Sequence, residues 1–135
     1  MSPKHIGLAG IALLVIIGIG YFLSSPEMHH KEPTLFISAE EVPEGARVIT
    51  HTEEGFVPSE LTLLKGEIVY FVTTTNSLFW PASDLHPSHL EYPEFDPMEP
   101  IPPGSAWSFT FDSVGKWDFH DHLAPMFTGL ITVTE

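Results

Sequence analysis

Cysteine is absent from all 135 residues. Its absence excludes disulfides, thiolate catalysis and any metal centre with a cysteine ligand. Basic residues are scarce too, with five Lys and Arg against 18 Asp and Glu. Every acidic residue lies after position 26, where only Lys31, Arg47, Lys65 and Lys116 oppose them, a formal charge of −14 with histidine neutral. Such a surface repels phosphate backbones and anionic headgroups, so nucleic acid is excluded as a partner. It suits solubility, cations or a basic protein. The chain also has no Gly-rich phosphate loop, no His-Glu-x-x-His helix and no Gly-x-Ser-x-Gly elbow, which removes the commonest nucleotide-binding and hydrolytic signatures. No internal repeat is visible.

Long apolar runs are limited to one, Ile6 to Leu23, 18 residues without a charge. As a helix it would reach about 27 Å, close to the hydrocarbon thickness of a bilayer. Lys4 precedes it and Glu27 follows, so the positive-inside rule leaves the N-terminus in the cytoplasm and the rest outside. A cleaved signal peptide is the rival, but its apolar region is usually shorter and no Ala-x-Ala site ends this one. The expectation is a single-pass anchor over 1–25, a linker over 26–45 and an extracytoplasmic domain, periplasmic or outer, over 46–135. The linker holds adjacent His29 and His30, which would diverge on a strand and are read as solvated, and a candidate short strand at Leu35 to Ile37.

Beyond residue 45 the signals are those of an all-β domain. Arg47 to His51 reads as a strand, Phe56 to Leu64 leads to a turn at Lys65-Gly66, and Glu67 to Thr73 is rich in β-branched and aromatic residues. Ala106 to Phe111 alternates apolar and polar, and Asp112 to Gly115 turns. Between them Asn76 to Pro103 forms an excursion with seven prolines. A loop of that length in a compact domain is usually functional or braced. Short strands with regular turns and no helical period argue for a sandwich or barrel.

The chemistry gathers in two histidine pairs. Trp117 to Val133 begins as a strand, breaks into a polar loop over Asp121 to Thr128 and resumes. His120 and His122 stand at the break, two apart, where strand geometry aims them to one face. His86 and His89 lie in the proline-rich excursion. Neutral imidazole is a good ligand for Cu(II), Zn(II) and Ni(II), and any one histidine alone would be read as structural. Four in two tight clusters point to a metal ion, in one site or two. Asp121, on the opposite face of the strand, is a candidate ligand or an acceptor orienting one. Asp84 and Glu91 are further candidate acceptors. Met126, and less so Met98, could add a thioether and bias the site toward copper. His51 reads as structural, and Trp80, Trp107 and Trp117 as packing residues.

The order of these pieces resembles the cupredoxin family. The matching stretches are Gly55 to Gly66, Ile68 to Val72, Pro103 to Phe111, Val114 to Phe119 and Gly129 to Val133, which together cover most of 46–135. The resemblance implies a plastocyanin-type Greek-key β-sandwich with a metal site at one end, where loops from the middle and end of the domain converge. It also implies copper as the metal ahead of zinc, and a role in copper handling or delivery. The ligands depart from the family: Asp121 stands at the blue-copper cysteine position, Ala124 where a histidine is usual, and the upstream histidine is replaced near Pro81 to Ser83. Met126 falls where an axial methionine lies. Two other readings stay open. One is a metal-free interaction module or accessory subunit of a membrane complex. The other is a small mononuclear metalloenzyme with an open coordination position.

Overall fold

The computed structural model describes residues 36–135. The proposed anchor and residues 26–35 of the proposed linker lie outside the described residues. Among the described residues no helix is long and apolar enough to cross a membrane.

The described chain is two β-sheets with one 3-10 turn. Its strands are β1 (Ile37–Ser38), β2 (Arg47–Thr52), β3 (Gly55–Val57), β4 (Glu60–Leu64), β5 (Ile68–Thr73), β6 (Pro81–Ser83), β7 (Ser105–Thr110), β8 (Gly115–Asp121) and β9 (Ala124–Thr134). One sheet has the order β1-β7-β5-β2-β3 and the other β4-β9-β8-β6. The β2/β5 and β4/β9 pairs are parallel, and the other pairs are antiparallel. Alternation builds the core between them. Val69 and Phe71 of β5, Phe119 of β8, and Ile131 and Val133 of β9 are buried together, the pairs on β5 and β9 two residues apart, as a one-sided strand face requires.

Two expectations are corrected by this architecture and one is borne out. The linker does not extend to residue 45. Ile37 and Ser38 pair with Ala106 and Ser105 at the edge of the first sheet, and Ser38 and Glu41 form a capping box over Ala39–Glu41. The long excursion is braced, as its length leads one to expect. Phe79 and Ile101 close its base with reciprocal backbone bonds of 3.3 and 2.8 Å, and its Tyr92 and Phe95 enter the core. It also contains β6, which pairs with β8. Pro81 begins β6 at the edge of its sheet, one of the strand positions where a residue lacking an N–H is tolerated. Finally, the break after β8 is shorter than expected. β9 starts at Ala124, so only His122 and Leu123 connect the two strands.

The packing of β9 on β8 is close enough to demand a glycine at 129. Gly129 pairs with Phe119, and a Cβ there would stand 2.3 Å from the Phe119 ring and 2.8 Å from the Ser59 carbonyl oxygen. Phe119 is thereby pinned directly before His120.

Candidate metal centre

The β8 strand sorts its last residues by face. Phe119 packs in the core against Phe56 and Phe71. Asp121 follows it inward and lies 1 % exposed, with its Oδ2 3.3 Å from Nε2 of His51. His51 is itself stacked on Phe79. His120 takes the other face and is covered by the excursion, leaving it 2 % exposed. A register irregularity between His120 and Asp121 ends the regular ladder there. His122 comes next in the turn, its N–H donating to the Trp80 carbonyl at 2.8 Å and its ring resting on the Trp80 indole at 4.6 Å.

The excursion brings the second pair to the same place. Each of His86, His89, His120 and His122 offers a ring nitrogen, and the four nitrogens lie within 4.8 Å of one another. His86 Nδ1 and His120 Nε2 are 3.2 Å apart, and His89 Nε2 and His122 Nδ1 are 3.0 Å apart. Four nitrogens bound to one ion at about 2.0–2.1 Å stand about 3.3 Å apart in a tetrahedron, or about 2.9 to 4.1 Å in a square plane. The nearest pairs already stand at such distances and the widest separation is only slightly larger, so the four rings could converge on one ion with small adjustments.

Two carboxylates set the inner rings. Asp84 Oδ1 accepts from His120 Nδ1 at 2.7 Å, and Asp96 Oδ2 accepts from His89 Nδ1 at 2.7 Å. With the proton held on Nδ1, Nε2 of each ring keeps its lone pair, directed at the centre of the cluster. Metal-ligating histidines use this arrangement to fix tautomer and ring orientation. Asp96 also accepts from Trp80 Nε1 at 2.8 Å and from the Met98 amide at 2.7 Å through Oδ1. Burial pushes the Asp96 carboxyl up, but these hydrogen bonds outweigh it and hold the group below its ordinary range. His122 is held below the ordinary histidine range, first by burial and then by the neighbouring His89, His86 and His120. Neutral rings are the form that can ligate.

The remaining expected residues fall outside this group. Asp121 is not turned toward the four imidazoles. Its Oδ1 accepts from the Trp80 and Leu123 amides at 2.9 and 3.0 Å, so it braces β6 and the β8–β9 turn from inside the sandwich. Met126 is 75 % exposed on β9, and Glu91 is exposed. Asp84 is placed as expected. Asp96 is the contributor that sequence reasoning missed. It lies seven residues from His89 in a segment without periodicity, and only the folded turn brings the two together.

The position that the family resemblance assigns to the blue-copper cysteine is Asp121, on the inner face of β8. There the carboxylate is fully engaged by two amides and His51, whose Nδ1 is in turn within 3.1 Å of Thr73 Oγ1. The inner position thus offers no thiolate and no spare ligand, and the four imidazoles lie on the opposite face of β8.

No protein-family model matches the sequence, and no curated protein matches it. Solved structures do. Amicyanin from Paracoccus versutus (Thiobacillus versutus) is 20% identical with a TM-score of 0.63, over 75% of this chain and 92% of that one. The Cu(I) form of an amicyanin variant is 19% identical with a TM-score of 0.64, over 75% and 93%, and a reduced Cu(I) form of another variant at pH 4 gives a TM-score of 0.63 at 19% identity over the same shares. At these identities the likeness is one of fold: the chain has the cupredoxin fold, built without the blue-copper cysteine.

Proposed function

We propose that this protein is a membrane-anchored, extracytoplasmic metal-binding protein that holds one ion, copper ahead of zinc, through His86, His89, His120 and His122, and serves copper handling or delivery. The observation that carries the reading is the convergence of four imidazole nitrogens within 4.8 Å, two of them with their tautomer set by a carboxylate. Copper is supported by the place of Cu(II) at the top of the affinity order for nitrogen sites and by the amicyanin structures, whose names give Cu(I). With no cysteine in the chain, the copper–thiolate bond of a blue electron-transfer site is excluded, which favours handling over redox work. The anchor is supported by the apolar run Ile6 to Leu23 behind Lys4.

The test is to load the full chain with copper(II) and zinc(II) separately and remove the excess. One copper per chain is expected, with an absorption spectrum lacking thiolate bands. His120→Ala combined with His122→Ala should abolish stoichiometric binding while the β-rich circular dichroism persists. A folded chain that retains neither metal would instead support an interaction module. Fractionation with membranes and an N-terminus intact at Met1 are expected for the anchor; a mature chain starting near Ser25 would reject it.

A further inference from the structure

We infer that His86 is the exchangeable ligand of the four-histidine centre, the position at which an incoming nitrogen or sulfur donor displaces a protein ligand when the ion enters or leaves. The inference rests on the four-histidine reading above and assigns the direction of traffic through it. The four rings are held very unequally. His89 and His120 are buried, and each has a carboxylate on its outer nitrogen at 2.7 Å. His122 is half-buried, with its ring on Trp80 and its amide on the Trp80 carbonyl. His86 is exposed.

The hydrogen bonding makes the difference sharper. Among the described residues the His86 ring is hydrogen-bonded only to His120 Nε2. That nitrogen supplies the lone pair that His120 would give to an ion, so the contact is lost as soon as the site fills. His122 likewise loses its contact to His89, but it keeps both Trp80 contacts. In the loaded site the ion and ring contacts to the other three histidines, the nearest being His122 at 4.7 Å, would hold the His86 ring, while each of the other three is also held by a residue outside the cluster. The neighbouring apolar residues Leu85 and Leu90 are 64 % and 71 % exposed, so among the described residues neither of them covers the exposed His86 ring. An exposed side chain changes rotamer in picoseconds to nanoseconds, which is no barrier to departure once its ligand bond is broken.

The step is a ligand substitution. The His86 Nδ1–metal bond breaks, the imidazole keeps its lone pair, and a donor–metal bond forms in its place. The ion keeps its oxidation state, and no electron is transferred. His89, His120 and His122 remain as a three-nitrogen platform until further donors of the receiving molecule replace them.

The experiment uses the full chain loaded with copper(II), with transfer to a chromophoric chelator followed in time. His86→Ala should still hold one copper per chain but transfer it at least about tenfold faster than the parent, since changes at a binding site act mainly on the off-rate. Millimolar free imidazole should slow that transfer again and restore a four-nitrogen magnetic spectrum. His122→Ala and His120→Ala should each lose more affinity than His86→Ala, with circular dichroism confirming the fold. The assignment is overturned if His86→Ala loses copper as completely as His120→Ala, if it transfers at the parent rate, or if imidazole does not slow it. A parent chain that holds no copper is a separate result, because it removes the four-histidine reading itself.

Discussion

At the scale of single residues, the centre depends as much on Asp84 and Asp96 as on the rings they touch. Each carboxylate accepts from an Nδ1–H and so decides which nitrogen would face an ion. Replacing either by its amide keeps the shape but weakens that preference. Asp84→Asn and Asp96→Asn are each expected to lower metal affinity about 10- to 100-fold while leaving one ion per chain. A competition titration with a chelator of known affinity reads this, and unchanged affinity in both would show the rings to be set by packing alone. Asp96 adds a pH signature in the metal-free chain. Its folded value lies below the ordinary 3.8, so its contribution is fully present above that value and is lost as pH falls through the folded value. The parent should therefore shed more stability in that acid window than Asp96→Asn does, measured by urea unfolding at a series of pH values. Asp84 could be anticipated from its nearness to the histidines in the sequence. Asp96 could not, because an aspartate in an aperiodic segment carries no local sign of the partner its fold gives it.

At the scale of elements, the end of β8 divides two polar systems across one strand. Outside are the four imidazoles; inside are Asp121, His51 and the amides of Trp80 and Leu123. Asp121 is then a structural clamp on the two elements that carry His122, its turn and the Trp80 beneath its ring. Asp121→Ala leaves two amide donors and His51 without their acceptor inside the sandwich. That should cost about 3 kcal/mol or more, seen as a lower midpoint in urea. Where the variant still folds, it should bind one ion at close to the parent's affinity, unlike His120→Ala. The strand pattern that revealed β2, β5, β7 and β8 was legible in the sequence, since each has β-branched or aromatic residues bounded by turns. The same alternation predicted that Asp121 and His120 face opposite ways. It failed one residue later, where His122 leaves the strand for a two-residue turn and reaches the cluster from Trp80 instead of from a common strand face. The short strands β1 and β6 were less legible for a related reason. Two or three residues hold no period, and their pairing with β7 and β8 is decided by the sheet edges available to them.

At the scale of the whole molecule, the ion would act as a cross-link. The cluster joins the β8–β9 hairpin to an excursion whose ligands lie more than 30 residues earlier, His86 to His120 and His89 to His122. The excursion carries Tyr92 and Phe95 into the core, so fastening its outer side also fastens part of the core. A ligand that binds only the folded state stabilises it by about 4 kcal/mol when its free concentration is a thousand times Kd. For a domain near 100 residues, each kcal/mol is worth roughly 4–8 °C in Tm. Copper in that excess should therefore raise Tm by about 15 °C or more. The acidic surface supplies a competing cause, because a chain of net charge −13 gains some stability from any divalent cation that screens its self-repulsion. The two causes separate cleanly. Screening responds to magnesium as to copper and ignores the identity of a buried ring, whereas the cross-link needs a nitrogen-seeking ion and His89. Thermal scans of the parent and of His89→Ala, each with copper and with magnesium, should show the large rise only for the parent with copper. A rise of equal size in all four combinations would assign the effect to surface charge and leave the excursion unfastened.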